Sequence, residues 1–359
     1  MRKGSLVPEQ EAERIVVVFT SPLESMHVDR IAAVAPDRVE LIFRPDLLPP
    51  ARYTADHTGP AGWRRDPDAE AEWRALLRRA EVTWDFAQTP TESPLDLSPG
   101  LKWVQTTSAG VGQYVKRLGL QESGLIVTTS SGVHAEPLTE FVFAALLHHT
   151  KRIAMLQEWQ RQRHWERYAA GGLPGRTMAI VGPGRIGRQV AKIANAFGMT
   201  TWAMARTNDA ERADELGVDR LFGRGELDEM LGGADCVVLC MPHTPETDGS
   251  IGAARIAAMK PGVTLVNIAR GAVIDEQAMI AALASGQIGF AALDVFQTEP
   301  LPADSPLWAM DNVLVNPHSA STADTENAKI TDIFVHNLRA FVDGRLDQMT
   351  PVLDKQRMY

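Results

Sequence analysis

The sequence is poor in the residue types that define several classes of protein. It has two cysteines among its 359 residues, and aromatic side chains make up 6% of it. Cys236 and Cys240 lie in one apolar segment, and on an extended strand they would be about 13 Å apart, beyond the reach of a disulfide. Two such residues cannot form a metal cluster. We therefore expect buried free thiols and no metal site.

Long apolar runs and an excess of positive charge are also missing. The run at 141–147 is far shorter than the ~20 residues that cross a bilayer, and no apolar signal region follows the basic start of the chain. The 36 Lys and Arg residues are outnumbered by 45 Asp and Glu residues, which gives a net charge of −9. This balance argues against a surface that attracts nucleic acid or anionic lipid. We therefore expect a cytoplasmic protein with neither nucleic acid nor a membrane as its partner.

The sequence does contain two series of short apolar runs that alternate with helix-length amphipathic segments. The chain exceeds the ~250–300 residues at which one core usually stops growing, so two domains are expected. Runs of this length predict strands of mostly parallel sheets built from βαβ units. The first series comprises 15–19, 39–43, 82–86, 101–104 and 126–129, and the second comprises 178–181, 200–204, 236–240, 264–267, 290–293 and 313–316.

Three other segments mark the organisation of the chain. Proline is concentrated in residues 44–68, which predicts a surface insertion. A long helix is predicted to begin near Glu136 and to continue through Trp159 and Trp165. The glycine-rich break at 171–175 then predicts a junction. The six strands after this junction are enough for a doubly wound nucleotide-binding sheet.

A glycine-rich turn lies between the first apolar strand of the second series and an amphipathic helix. Gly182, Gly184 and Gly187 form the pattern G-x-G-x-x-G, with Arg185 and Ile186 between the last two. The first glycine allows a tight turn, the second lets the backbone approach a pyrophosphate, and the third lets the helix pack closely on the strand. The helix N-terminus would hold the phosphates, with the charge of Arg185 beside them. The alternative is a glycine turn that only reverses the chain.

The end of the next strand bears on the choice of cofactor. About 20 residues after the glycines, an NAD site usually places an acidic residue on the ribose hydroxyls, but Met204 or Ala205 occupies that position here. Arg206 and Thr207 follow, and a guanidinium with a hydroxyl can bind a ribose 2′-phosphate. We therefore predict NADP(H) as the preferred cofactor, with NAD(H) as the alternative if Arg206 is an ordinary surface arginine.

Three polar residues stand just beyond the last three apolar runs. They are Arg270, Glu299 and His318. Ligands bind outside the carboxyl ends of the strands in open α/β sheets, so we expect these three side chains to converge on one crevice. Taken singly, each also has an ordinary interpretation, as a solvated charge, a turn residue or a packing histidine.

Together these motifs resemble those of the D-isomer-specific 2-hydroxyacid dehydrogenases, the family that includes glyoxylate and hydroxypyruvate reductases. The resemblance is carried by the glycine turn, by N-x-A-R-G at 267–271, by D-V-F-x-x-E-P at 294–300 and by P-H at 317–318, in this order. It covers nearly the whole chain, with good motifs from about 82 to 342.

The resemblance implies a role for each of the polar residues. Arg270 would bind the carboxylate and carbonyl oxygen of a 2-oxo acid, where negative charge builds as hydride arrives. His318 would donate the proton in reduction and accept it in oxidation. Glu299 would orient the imidazole and favour its charged form. Asp294 would hold the carboxamide of the nicotinamide.

A loop in the first half of the chain is similar to the segment that binds the substrate carboxylate in this family. It consists of Ser108, Ala109, Gly110 and Val111, whose backbone N–H groups would hold the anion at a turn from strand to helix. Gly112 stands where relatives commonly have Asp. Recognition by the backbone is expected to survive that change.

Three other positions are implied at the cofactor. Pro242 and Thr247 belong to a loop that matches the family segment lying along the cofactor, with Pro242 on the adenosine side. Ala269, within N-x-A-R-G, is expected to contact the cofactor as well. His243, in the same loop as Pro242, is expected to be structural rather than catalytic.

The resemblance also implies how the chain is divided. A Rossmann-type doubly wound parallel sheet domain at 151–321 would be inserted into a smaller flavodoxin-like α/β substrate domain formed by 1–150 and 322–359, with a final helix at 330–342. Catalysis would take place in a cleft that closes and excludes water. The expected partner is a second copy of the chain, in a homodimer.

The sequence thus predicts an NAD(P)-dependent oxidoreductase that interconverts a small 2-oxo acid, such as glyoxylate or hydroxypyruvate, and the D-2-hydroxy acid. Two alternatives stay open. One is a phosphite-type dehydrogenase of the same family, and the other is a cofactor-sensing binding protein similar to C-terminal-binding corepressors. Formate-oxidising relatives carry glutamine where this chain has Glu299, which argues against formate.

Overall fold

The computed structural model describes residues 14–87, 92–205 and 210–358, which form two compact units. The first unit comprises the chain up to Val133 and from Ala323 onward, and the second comprises His134–Thr322. The chain therefore leaves the first unit once and returns to it after the second unit is complete.

The helices and strands alternate along most of the chain. The first unit begins with β1 (Ile15–Phe19), α1 (Ser25–Ala32), β2 (Val39–Ile42), α2 (Pro67–Leu77), β3 (Val82–Trp84), α3 (Pro94–Leu97), β4 (Trp103–Gln105), α4 (Gly112–Arg117) and β5 (Ile126–Thr128). The second unit contains α5 (Ala135–Thr150), α6 (Ile153–Gln162), β6 (Thr177–Val181), α7 (Arg185–Ala196), β7 (Thr200–Met204), α8 (Ala210–Leu216), β8 (Arg220–Phe222), α9 (Leu227–Gly233), β9 (Cys236–Leu239), α10 (Ala253–Ala258), β10 (Val263–Asn267), α11 (Glu276–Ser285), β11 (Ile288–Leu293) and β12 (Val313–Val315). The first unit is completed by α12 (Glu326–Val342).

Each unit is built on one parallel sheet. The five strands of the first unit have the order β2-β1-β3-β4-β5, which is the order of flavodoxin-like sheets. The seven strands of the second have the order β12-β11-β10-β9-β6-β7-β8, which extends the Rossmann order by one strand at the β12 edge. The predicted fold class, two α/β units with parallel sheets, is therefore confirmed.

Burial explains why the strands read as continuous apolar runs. All residues of β9 and β10 are buried, as are four of the five in β6, because helices cover both faces of a parallel sheet.

Local sequence signals set the ends of the helices. Before α11, the Asp275 carboxylate accepts a hydrogen bond from the Ala278 N–H at 3.0 Å, and the helix stops at Gly286, whose φ is 79°.

The division of the chain differs from the expected one at one boundary. The first unit is left after Val133 rather than at 150, because α5 belongs to the core of the second unit. Leu138, Val142 and Leu146 on α5 are buried in the same apolar cluster as Val190 of α7. The change of unit therefore comes before this helix and not after it.

The structure also corrects two details. A seventh strand, β8, was not predicted, since it has three residues and begins with the exposed Arg220. The long helix expected from Glu136 through Trp165 is interrupted. Arg152 has a left-handed φ of 55° between α5 and α6, and Arg163 has the same φ after α6, so Trp165 lies outside any helix.

No membrane-spanning helix, metal site or disulfide was expected, and each can be examined in the described part of the chain. None of its helices is both long enough and apolar enough to cross a membrane. Its His, Cys, Asp and Glu residues form no group of three or more that could hold a metal ion. Cys236 and Cys240 are both free thiols, and burial raises the pKa of Cys236 to about 11 and that of Cys240 to about 12.

Candidate active site

The candidate site of the second unit lies where the parallel strands of its sheet end. The loops after β6, β9, β10, β11 and β12 all leave the sheet at the same edge, because carboxyl ends of parallel strands coincide. They carry the glycine turn, the loop with Pro242, and the turns bearing Arg270, Glu299 and His318. Of the residues predicted for the site in the second unit, those that the structure describes are therefore gathered at one edge.

The glycine turn has the geometry that a bound pyrophosphate requires. Gly182 has a φ of 105°, and a Cβ there would lie 2.7 Å from the Met241 backbone. A Cβ on Gly187 would lie 2.6 Å from the Gly182 carbonyl oxygen, so the glycine lets α7 pack closely on the strand. Around Gly184, by contrast, a Cβ would meet nothing within 4 Å. Open space before the 12-residue helix α7 fits a dinucleotide phosphate.

These different surroundings predict different results for two glycine substitutions. Gly184→Ala should change the free energy of unfolding by less than about 0.5 kcal/mol but weaken NADPH binding at least about tenfold, since its methyl group takes the space of the phosphate. Gly187→Ala should destabilise the chain by about 1–3 kcal/mol through overpacking. Thermal unfolding without cofactor and a fluorescence titration with NADPH measure both effects. Unchanged NADPH binding by Gly184→Ala would show that the turn does not hold the phosphates.

The strand next to the glycine turn ends without an acidic side chain. Met204 and Ala205 occupy its end, and the Ala205 N–H donates to the Phe222 carbonyl oxygen of β8 at 3.0 Å. Arg206 and Thr207, for which a contact with the ribose phosphate is predicted, lie outside the described residues.

The loop after β9 is organised by its own hydrogen bonds. The Thr247 hydroxyl donates to the Pro242 carbonyl oxygen at 2.7 Å and accepts from the Thr244 N–H at 2.8 Å. This network occupies the Thr247 side chain, which was expected near the cofactor, and leaves Pro242 exposed. The Nε2 atom of His243 lies 2.8 Å from the Asp248 carboxylate, outside the loops that carry Arg270, Glu299 and His318.

A buried asparagine shapes the turn that carries Arg270. The Asn267 side-chain oxygen accepts from the Ala269 N–H at 3.1 Å, and its amide donates to the Arg270 carbonyl oxygen at 3.4 Å. Ala269 is 4% exposed, whereas Arg270 is exposed and donates to the Ala269 carbonyl oxygen at 2.7 Å. The turn is thus fixed by the Asn267 side chain, and the exposed guanidinium is hydrogen-bonded to the backbone of the turn.

The Arg270 turn is in tight contact with the loop that carries Glu299. A Cβ on Gly271 would lie 1.9 Å from the Phe296 carbonyl carbon, so only glycine allows the two backbones to approach. The Phe296 N–H donates to Glu299 Oε1 at 3.0 Å. The position of the carboxylate is therefore tied to the turn that presents Arg270.

Glu299 and His318 form the expected pair. The His318 Nδ1 atom lies 2.8 Å from Glu299 Oε2, and each side chain is about half-exposed. His318 has a left-handed φ of 51°, a conformation that non-glycine residues seldom adopt. A hydrogen bond from Nδ1–H to the carboxylate leaves Nε2 as the nitrogen that can exchange a proton with a ligand.

Asp294 lies beneath the His318 turn. Its Oδ1 atom accepts hydrogen bonds from the Asn316 amide at 2.6 Å, the Ser319 N–H at 2.8 Å and the Ala320 N–H at 3.0 Å. The residue is 2% exposed, and its own N–H donates to the Asn267 carbonyl oxygen at 3.0 Å. One carboxylate oxygen thus holds both flanks of His318. The expected contact of Asp294 with the nicotinamide stays a prediction.

The network around Asp294 includes residues to which sequence reasoning assigned no role. Asn267 begins the N-x-A-R-G motif and Asn316 directly precedes the P-H motif, each at the end of a strand. The signal that could have found them is chemical. A buried turn at the end of a strand leaves backbone groups unpaired, and Asn can supply both a donor and an acceptor.

The loop at 108–111 belongs to the first unit and follows β4. The Thr106 hydroxyl donates to the Ser108 carbonyl oxygen at 2.6 Å, and the Ser130 N–H donates to the same oxygen at 3.3 Å. The Thr107 hydroxyl donates to Asp85 Oδ2 at 2.7 Å, and burial raises the pKa of Asp85. Hydrogen bonds from Thr106 and Ser130 thus fix the backbone of the loop. The Ser108 residue itself is exposed to solvent.

Comparison with known proteins gives a consistent result. Residues 143–320 match the family model described as D-isomer specific 2-hydroxyacid dehydrogenase, NAD binding domain. The chain is 35% identical to a glyoxylate reductase of Aeropyrum pernix over 232 residues, 62% of this chain and 68% of that protein. It is 34% identical to a D-3-phosphoglycerate dehydrogenase of Mycobacterium tuberculosis over 275 residues, 76% of this chain but 51% of that protein.

A solved structure resembles the whole chain. It is a D-isomer specific 2-hydroxyacid dehydrogenase from Xanthobacter autotrophicus Py2 in complex with NADPH and MES. It superposes with a TM-score of 0.73 at 28% sequence identity and covers 97% of this chain and 100% of the solved one.

Proposed function

The chain belongs to the D-isomer specific 2-hydroxyacid dehydrogenase family, an oxidoreductase family, and on that premise we propose that it reduces a small 2-oxo acid to the D-2-hydroxy acid with NADPH. Glyoxylate and hydroxypyruvate are the proposed substrates. The observation that carries the proposal is the Glu299–His318 pair, with 2.8 Å between carboxylate oxygen and ring nitrogen. Its backbone contacts tie this pair to the Arg270 turn.

Each residue of this set has one task in the proposed reaction. The bound cofactor supplies the hydride. Arg270 neutralises the charge that develops on the substrate carbonyl oxygen, since a fixed cation is worth more in a site from which water is excluded. His318 gives the proton to that oxygen from Nε2. Glu299 holds the imidazole in the required orientation and stabilises its charged form.

The loop at 108–111 is proposed to bind the substrate carboxylate through its backbone N–H groups. The residues that follow β1, β3 and β4, at 20–24, 85–87 and 106–111, include Glu24 and Asp85 and no Lys or Arg. A substrate with a second anionic group, such as a phosphate, finds no cation in these segments. The proposal therefore favours small, uncharged substituents on carbon 2.

Initial-rate kinetics test this function. The purified chain is given glyoxylate, hydroxypyruvate, pyruvate and 3-phosphohydroxypyruvate, each with NADPH and with NADH, and oxidation of the cofactor is followed by absorbance. We expect the highest kcat/KM for glyoxylate or hydroxypyruvate and a much lower value for the phosphorylated acid. Inactivity with every 2-oxo acid would exclude the proposed function. A phosphite-type dehydrogenase and a corepressor-like binding protein would then remain as alternatives.

The proposed preference for NADPH is based on Arg206 and Thr207. Arg206→Ala should raise KM for NADPH about tenfold or more and leave KM for NADH nearly unchanged, because the lost charge-assisted bond reaches only the 2′-phosphate. Arg345→Ala is the matched control, since this exposed arginine pairs with Asp343 in the first unit at 2.6 Å. Equal effects of Arg206→Ala on the two cofactors would exclude Arg206 from the phosphate site.

We also propose that the protein is a homodimer and that it is located in the cytoplasm. Helix α6 buries none of its side chains within the described chain, and its Ile153, Leu156 and Trp159 are half-exposed. Trp165, just beyond this helix, is 96% exposed. Apolar surface of this kind supports contact with a second copy of the chain.

A further inference from the structure

The first residue of α4 is held in contact with a segment from the other end of the sequence. Gly112 follows the loop at 108–111 directly, and its φ lies outside the left-handed region. A Cβ added at this position would lie 2.1 Å from the Met358 carbonyl oxygen and 2.7 Å from the Met358 Cβ. Glycine is therefore required here by space and not by backbone conformation. The backbone of Met358 occupies the place of a side chain.

Segment 351–358, to which Met358 belongs, is fixed to the edge of the first sheet. The Leu353 N–H donates to the Val127 carbonyl oxygen at 2.8 Å, and the Thr129 N–H donates to the Pro351 carbonyl oxygen at 2.9 Å. These bonds extend the ladder beyond β5, the last strand in the sheet order. The segment thus pairs with an edge that would otherwise be open.

Side chains hold the segment as well. Leu353 is 5% exposed and belongs to the same apolar cluster as Val111 and Val115, which flank Gly112. The Lys355 ammonium donates to the Ser123 carbonyl oxygen at 2.7 Å. One segment therefore contacts the end of the loop at 108–111, the following helix and the turn before β5.

The last residues of the segment form a defined turn. The Asp354 side-chain oxygen accepts from the Gln356 N–H at 3.0 Å and from the Arg357 N–H at 2.9 Å. The Met358 N–H donates to the Asp354 carbonyl oxygen at 2.7 Å. This turn directs the Met358 carbonyl at Gly112.

We propose that segment 351–358 is a brace that positions the loop at 108–111 and so sets the affinity for the 2-oxo acid. The inference depends on the proposed function, in which the N–H groups of this loop bind the substrate carboxylate. Backbone donors bind an anion well only when they are already in place, and a displacement of about 1 Å costs up to 100-fold. Met358 acts through Gly112, so it is a positioning residue.

Three variants test the brace. One chain ends at Asp354, which removes the contacts of Lys355 and Met358 but keeps Leu353 in the core. The second carries Gly112→Ala, and the third combines both changes. Each single change should raise KM for the 2-oxo acid about tenfold, with KM for NADPH and kcat nearly unchanged. The combined variant should match the shortened chain, because the added methyl group no longer meets Met358.

Gly124→Ala is the matched control. This glycine is in the same unit, and a Cβ there meets nothing within 4 Å, so KM should stay at the value of the unaltered chain. If Gly112→Ala raises KM equally with and without residues 355–359, contact with Met358 is not the cause and the inference is wrong. An unchanged KM in the shortened chain overturns it too.

Amide hydrogen exchange separates this inference from the proposed function. Exchange at residues 108–115 should be faster in the chain that ends at Asp354 than in the full chain, whatever substrate the protein uses. Faster exchange in a protein that reduces no 2-oxo acid would retain the brace and reject the proposed function. Equal exchange in the two chains would reject the brace.

Discussion

His318→Gln is expected to lower kcat/KM for reduction of the 2-oxo acid by about 10²–10⁴-fold, the usual contribution of a positioned general acid. Glutamine can still accept or donate a hydrogen bond near Glu299, but it cannot carry a proton to the substrate. Binding of NADPH should stay the same, because the glycine turn that is proposed to hold the phosphates lies after a different strand. Steady-state kinetics and a fluorescence titration with NADPH measure the two quantities.

His336→Gln is the control for this substitution. His336 is an exposed residue of α12 whose Nε2 atom lies 3.1 Å from the Gln348 carbonyl oxygen, and its loss should leave kcat/KM unaltered. A His318→Gln chain that keeps full activity would rule out this residue as the proton donor.

Arg270→Ala is expected to lower kcat/KM for the 2-oxo acid by about 10²–10³-fold, comparable to the loss of an oxyanion donor. The Arg270 turn is held by Asn267 and by the close approach of Gly271 to Phe296, so truncation of the exposed guanidinium should leave the fold and the unfolding temperature intact. Kinetics with NADPH at saturation and a thermal unfolding curve measure both effects.

Arg270→Lys tests whether the positive charge of the side chain is sufficient for activity or whether the guanidinium shape is needed as well. Lysine keeps the positive charge but cannot form the paired hydrogen bonds of a guanidinium with a carboxylate, so an intermediate loss is expected. The same change at Arg345, which lies in the first unit and pairs with Asp343, should have no effect. Wild-type kinetics for Arg270→Ala would contradict the assignment of Arg270 as the substrate anchor.

The features that sequence could predict are those set by local pattern. Buried parallel strands are apolar throughout, so β6, β9 and β10 could be recognised from their runs alone. The roles of Gly182 and Gly187 follow from a motif whose spacing is fixed by one turn, and the observed contacts explain both. His318 and Glu299 were predicted to meet because each follows a strand of one sheet.

The features that could not be predicted depend on distant contacts. Gly112 is explained by Met358, which lies more than 200 residues further along the chain, and no local pattern links the two. The assignment of α5 to the second unit depends on its packing against α7. Asp294 was matched to a cofactor contact, but its hydrogen bonds to the His318 turn become visible only once β11 and β12 are adjacent.

Site chemistry and overall charge are consistent with each other. The net charge is −9, yet both proposed ligands, a dinucleotide phosphate and a small carboxylate, are anions. Arg270 and the open backbone at Gly184 supply local positive potential where the strands end. On the proposed function, anions would therefore bind at this site rather than over the whole surface.

Stereochemical analysis of the product shows whether hydride passes from NADPH to carbon 2 of a 2-oxo acid and which enantiomer is formed. Hydroxypyruvate is reduced with NADPH that carries deuterium at the transferable position on carbon 4 of the nicotinamide. The enantiomers of the glycerate formed are separated by chiral chromatography, and their deuterium content is determined by mass spectrometry. The proposed reaction gives D-glycerate with one deuterium on carbon 2. Formation of L-glycerate, or of glycerate without deuterium at carbon 2, would contradict it.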